Sequence, residues 1–137
     1  MSSHIFREDA FAGVSILLTG GGPWVEISKG LTAKRAKVHI CGRRPASLEA
    51  AFETISKCGP VAASHHLCDE RGANQVDAIW RDAPPTSLLN NAATNFISPT
   101  KDLSPRGFRA VTSTVMDGSF HATLAAGRRW IARSLRG

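Results

Sequence analysis

The chain has 137 residues, 42% of them apolar and 20% charged, with a formal net charge of +6. That is one domain's worth of residues, enough to bury a core and too apolar to remain disordered. No apolar run reaches the length of a membrane span, and "MSSHIFREDAFAG" lacks the hydrophobic segment of a secretory signal, so a cytoplasmic protein without membrane contact is expected.

"VSILL" (Val14 to Leu18) is a short run of branched residues ending in glycines, which predicts a buried strand. Residues 25 to 35 place Val25, Ile27, Leu31 and Ala33 at roughly helical spacing. "KVHIC" (Lys37 to Cys41) predicts the next strand. The helix after it starts at Pro45, which suits a first turn, and stops at Gly59, which suits a C-terminal cap. Leu48, Ala51, Phe52 and Ile55 form its apolar face. "VAASHHLC" (Val61 to Cys68) predicts a third strand and "ANQVDAIWRDA" (Ala73 to Ala83) a helix with Val76, Ile79 and Trp80 on one side. "TSLLN" (Thr86 to Asn90) predicts a fourth strand. One long helix is expected from Ser104 to about Ser134, with Phe108, Val111, Val115, Phe120, Leu124 and Ile131 as its stripe.

Strands and helices thus alternate, which predicts an α/β fold: a doubly wound parallel sheet with right-handed crossovers and helices on both faces. Ligands of such sheets lie beyond the carboxyl ends of the strands. The stretches that could carry chemistry all sit there. "TGGG", with Thr19, Gly20 and Gly22, stands between strand one and a helix. It can serve as a pyrophosphate-binding turn, through N–H groups at the helix start, or as an ordinary glycine-rich turn. "CGRR" ends strand two, where Arg43 and Arg44 favour a 2′-phosphate and hence NADP over NAD; otherwise they are solvated. In "HHLCD", His65 and Leu67 face one way and His66 and Cys68 the other, so the group does not converge on a metal. Asp69 is placed to accept a hydrogen bond from an adenine amino group. "LLNNAATNF" offers Asn90, Asn91 and Ala92, an Asn-rich turn whose small residues allow close approach to a ligand.

The remaining charge lies in short patches such as "GRRWIARSLRG", without interleaved aromatics, which argues against nucleic acid. Cys41, Cys58 and Cys68 are odd in number and unpaired in spacing, as expected of free, mostly buried thiols.

Together "TGGG", "GRR", "CDER", "LLNNAA" and the long helix resemble the short-chain dehydrogenase/reductase superfamily. "NNAATNFISPTKDLSPRGF" looks most like the branch containing the 2,4-dienoyl-CoA reductases. The resemblance implies a Rossmann-type sheet truncated after about four strands and the following long helix, so that residues 1–137 form an incomplete NAD(P)-binding domain. It implies cofactor contacts at Thr19, Gly20, Gly22, Arg43, Arg44, Asp69, Asn90, Asn91 and Ala92, with NADP as cofactor and no metal.

Departures from the family pattern temper the implied function. The glycine loop is short by two residues, with Pro23, Trp24 and Val25 in the gap, which implies weak or lost cofactor binding. Val115 stands where many members carry Asn, and Asp117 where the branch carries Asn. The family's Tyr-x-x-x-Lys is absent, and the chain contains no tyrosine at all. No catalytic residue is therefore assigned. The chain reads as the N-terminal half of a reductase, inactive alone, with self-association expected through an exposed sheet edge and the long helix. A non-catalytic nucleotide-binding or interaction module, or a frameshift product, are the alternatives. His121, one turn beyond Asp117, could donate a proton or simply face outward.

Overall fold

The computed structural model describes residues 6–20, 24–82, 84–95 and 97–134. Gly22 and Pro23 lie outside the described residues. The elements are β1 (Ser15–Thr19), α1 (Trp24–Ala33), β2 (Lys37–Gly42), α2 (Pro45–Ser56), β3 (Ser64–Leu67), α3 (Ala73–Asp82) and β4 (Ser87–Leu89). A short 3-10 turn (Thr100–Asp102) then leads to α4 (Pro105–Thr112), a π-helical turn (Ser113–Asp117) and α5 (Gly118–Ser134). The strands form one parallel sheet in the order β3-β2-β1-β4, with Leu17 opposite both His39 and Leu88. This is the expected doubly wound α/β architecture. No helix among the described residues is long and apolar enough to cross a membrane.

Each sheet face buries its own apolar cluster. Ile16, Leu18, Val38 and Ile40 meet Leu48, Ala51 and Ile55 of α2 on one face. On the other, Leu17, Cys41 and Cys68 meet Val76, Ile79 and Trp80 of α3 and Ala122, Ala125 and Ala126 of α5. The Trp80 and Trp130 rings pack edge to face at 5.8 Å, a favoured aromatic geometry. Cys41 and Cys68 are buried and Cys58 half-buried, all three as free thiols. The hydrogen bond between Cys41 and Cys68, with burial, holds the Cys41 thiol well above its usual range.

Three packing expectations need correction. In α1, Ser28 and Thr32 are fully buried, whereas Ile27 is exposed. The helix packs close to the sheet with small side chains, which a reading by hydropathy places outside. β3 is shorter than expected, because Val61 to Ala63 make no ladder with β2. The long helix is interrupted at its π turn. There Thr112 and Thr114 turn their hydroxyls onto the carbonyls of Phe108 and Ala110 (3.2 and 3.4 Å), competing with the backbone ladder. An extra residue in one turn rotates the rest of the helix about its axis. Alanines of α5 face the core, while Phe108, Val115, Phe120 and Ile131 of the expected stripe are exposed.

His39 is a buried polar group within the second face. Its Nε2 lies 2.8 Å from Ser15 Oγ and its Nδ1 2.6 Å from Ser64 Oγ, so a neutral ring donates one bond and accepts the other. Burial, then the neighbouring His66 and Lys37, depress its pKa from 6.5 to about 4. A depressed histidine is neutral when folded, so its contribution is present above pH 6.5 and lost as pH falls toward 4. We expect roughly 2 kcal/mol less stability at pH 5 than at pH 7 from this group. Urea unfolding at the two pH values measures it; equal stability would contradict the assignment.

Candidate functional site

β1 and β2 end side by side, and their carboxyl ends form one wall of a cavity of ≈ 780 Å³. Gly20, Arg43 and Arg44, three of the residues singled out from the sequence, line it together. Gly20 has φ +93°, and a Cβ there would stand 2.6 Å from the Cα of Ala92. Only glycine lets β1 pass this close to the turn after β4. Arg43 and Arg44 are exposed at the rim, and among the described residues neither makes an ion pair. Helix α2 begins at Pro45, and Ser47 of its first turn also lines the cavity. The positive end of its dipole thus adds to the two guanidinium groups, making this rim suited to an anion.

Thr19 ties the end of β1 to the turn after β4. Its hydroxyl is buried and accepts hydrogen bonds from the N–H groups of Asn91 (3.1 Å) and Ala92 (3.2 Å). Asn90 donates from Nδ2 to Thr123 Oγ1 of α5 at 2.9 Å. These bonds tie the end of β1, the turn after β4 and α5 into one unit behind the cavity. Ala93 and Thr94, at the end of that turn, reach the cavity wall.

Asp69 is held elsewhere. Its carboxylate accepts from Arg71 Nε at 2.9 Å and from the Arg71 backbone N–H at 3.1 Å. The Arg71 hydrogen bonds keep its carboxyl below the usual range. It is not among the residues lining the cavity; its neighbour Glu70 is. Glu70 is not among the residues expected from the sequence, although a charge directly after Asp69 in "CDER" is the available signal. His121 does not simply face outward. Its ring is half-buried, with Nδ1 3.0 Å from the Glu70 carbonyl. His65 pairs with Glu49 at 3.2 Å, away from His66 and Cys68. Among the described residues no group of three or more His, Cys, Asp or Glu could hold a metal.

No protein-family model matches the chain. It is 30% identical over 132 residues to a protein described as a probable 2,4-dienoyl-CoA reductase of Bacillus subtilis, covering 90% of this chain and 51% of that one. The citronellol-catabolism dehydrogenase of Pseudomonas aeruginosa is 30% identical with a TM-score of 0.80, covering 91% of this chain and 54% of that one. An actinorhodin polyketide ketoreductase solved with NADPH is 25% identical with a TM-score of 0.74, covering 89% and 48% respectively. The chain thus spans about half the length of the curated relatives it matches. By sequence and fold, nearly the whole chain is similar to the N-terminal half of short-chain dehydrogenase/reductase enzymes.

Proposed function

We propose that the chain is the nucleotide-holding portion of an NADP(H)-dependent oxidoreductase, with a carbonyl or an unsaturated acyl thioester as the partner substrate. One observation carries the reading: two exposed arginines and a helix N-terminus converge on the cavity at the carboxyl ends of β1 and β2. The cavity fits a dinucleotide phosphate, because Gly20 leaves room for close approach and the rim is cationic. Arg43 and Arg44 would hold the 2′-phosphate, and Gly20 and Gly22 would border the pyrophosphate. Thr19, Asn90, Asn91 and Ala92 would shape the wall beside the cofactor, and Asp69 would stand at its adenine end. When bound, the cofactor supplies or accepts hydride. The substrate class is drawn from relatives named as dienoyl-CoA reductases. A cytoplasmic setting and an NAD(P)-binding domain over residues 1–137 belong to the same proposal.

Fluorescence titration tests the cofactor choice. NADPH should bind at least tenfold more tightly than NADH, equivalent to about 1.4 kcal/mol. An Arg43→Ala/Arg44→Ala variant should lose that preference, since both charge-assisted contacts to the 2′-phosphate are removed. Equal affinities in the unmodified chain, or tighter NADH, would sink the assignment. The shortened "GGPWV" loop predicts weak absolute affinity, because Pro23 lacks an N–H and the turn carries fewer donors.

A second reading, an interaction module, has its own support. β4 is an edge strand of the described sheet, Leu89 upon it is exposed, and Phe108, Met116, Phe120 and Ile131 are exposed on the following helices. Unpaired edges and apolar surface favour association. Self-association of the purified chain in sedimentation velocity supports this reading, and a monomer at all concentrations removes it.

A further inference from the structure

We propose that His39 and His66, with the Ser64 hydroxyl, form a binding site for a divalent transition-metal ion of the zinc class. The site lies outside the cleft, and none of the three residues lines that cavity. β2 and β3 run side by side with His39 opposite Ser64, so His66 follows on the same sheet face. The two imidazole planes are inclined by only 26°, with ring centroids 5.7 Å apart. The histidines within "HHLCD" do not converge with one another; His66 converges instead with a histidine of the neighbouring strand.

Three donor atoms meet there. His39 Nδ1 and His66 Nε2 are 3.5 Å apart. Ser64 Oγ stands 2.6 Å from the first and 3.4 Å from the second. Two ligands bound at about 2.1 Å to a tetrahedral zinc ion stand about 3.4 Å from each other. The two nitrogens thus have the bite of such an ion, while their separation is long for a hydrogen bond between rings.

The far side of His39 completes the arrangement. Its Nε2 lies 2.8 Å from Ser15 Oγ, and an Nε2–H donated to that oxygen leaves the Nδ1 lone pair for the metal. Burial keeps this ring neutral, the form in which imidazole ligates. Ser64 and His66 are half-buried on β3, an edge strand, which gives an ion and its waters a way in. Lys37 nearby opposes a cation, and two imidazoles with one hydroxyl are a weaker set than that of a structural zinc. Affinity in the micromolar range follows. The bound ion clasps the edge strand β3 to β2.

Isothermal titration calorimetry of the chelator-treated chain with zinc sulfate at neutral pH tests the site. One ion should bind per chain and raise the melting temperature. His66→Gln keeps a polar side chain on the edge strand and should weaken binding roughly tenfold or more. Circular dichroism melting reports whether that variant folds. His65→Gln, which removes the partner of Glu49, should bind as the unmodified chain does. Cobalt(II) in place of zinc identifies the donors in the unmodified chain, with no substitution needed. Visible bands without a near-ultraviolet thiolate charge-transfer band support histidine ligation, whereas that band places the metal on cysteine and overturns the assignment. No binding at submillimolar zinc, undiminished binding in folded His66→Gln, or loss of binding in His65→Gln overturns it as well.

Discussion

Purified alone, the chain should oxidise NADPH no faster than a heat-denatured control when offered ketones, 2-enoyl or 2,4-dienoyl thioesters. Reduction of such substrates needs hydride and acceptor held within reaction distance and a proton for the developing charge. A positioned acid contributes roughly 10²- to 10⁴-fold. The sequence contains no tyrosine to supply it. Asp117 is exposed and is not among the residues lining the cavity. His121 commits its Nδ1–H to the Glu70 carbonyl, so that proton is already engaged within the fold. Turnover that survives repurification and disappears in Asp117→Ala or His121→Ala would contradict this expectation.

The second large effect belongs to Gly20. Replacing it with alanine should destabilise the fold by about 3 kcal/mol, from overpacking together with backbone strain. Gly13→Ala provides the comparison. Gly13 also has positive φ (+80°), but a Cβ there meets nothing within 4 Å. It should lose only the conformational part, about 1 kcal/mol. The difference isolates the collision with Ala92. Relief of that collision must push the turn after β4 away from β1, which breaks the bonds from the Asn91 and Ala92 N–H groups to Thr19. Nucleotide affinity should fall with it. Similar melting temperatures for the two variants would show that the close approach is unimportant.

Much of the architecture is legible in the sequence, and for identifiable reasons. "SILL" and "KVHIC" are apolar runs long enough to be buried on both faces, and Pro45 marks the start of α2 plainly. Packing that depends on small residues is not legible by hydropathy. Ser28, Thr32 and the α5 alanines face inward because close approach matters more there than side-chain area. The π turn at Ser113–Asp117 shifts the helix phase by a mechanism that a 3.6-residue period cannot register. At the site, Gly20, Arg43 and Arg44 are readable because strand ends and charge are local features. The pairing of Asp69 with Arg71, and the shelter that Gly118 gives Glu70, depend on side-chain direction and on residues distant in sequence.

Occupation of the cleft at the ends of β1 and β2 by a dinucleotide phosphate is tested most directly by amide chemical-shift mapping with NADPH. Saturable shifts should concentrate at Gly20, Gly42 to Arg44, Ser47, Glu70, Ala93 and Thr94, the residues that border that cavity. Shifts confined to the exposed faces of α4 and α5, or no shifts at millimolar NADPH, would contradict it.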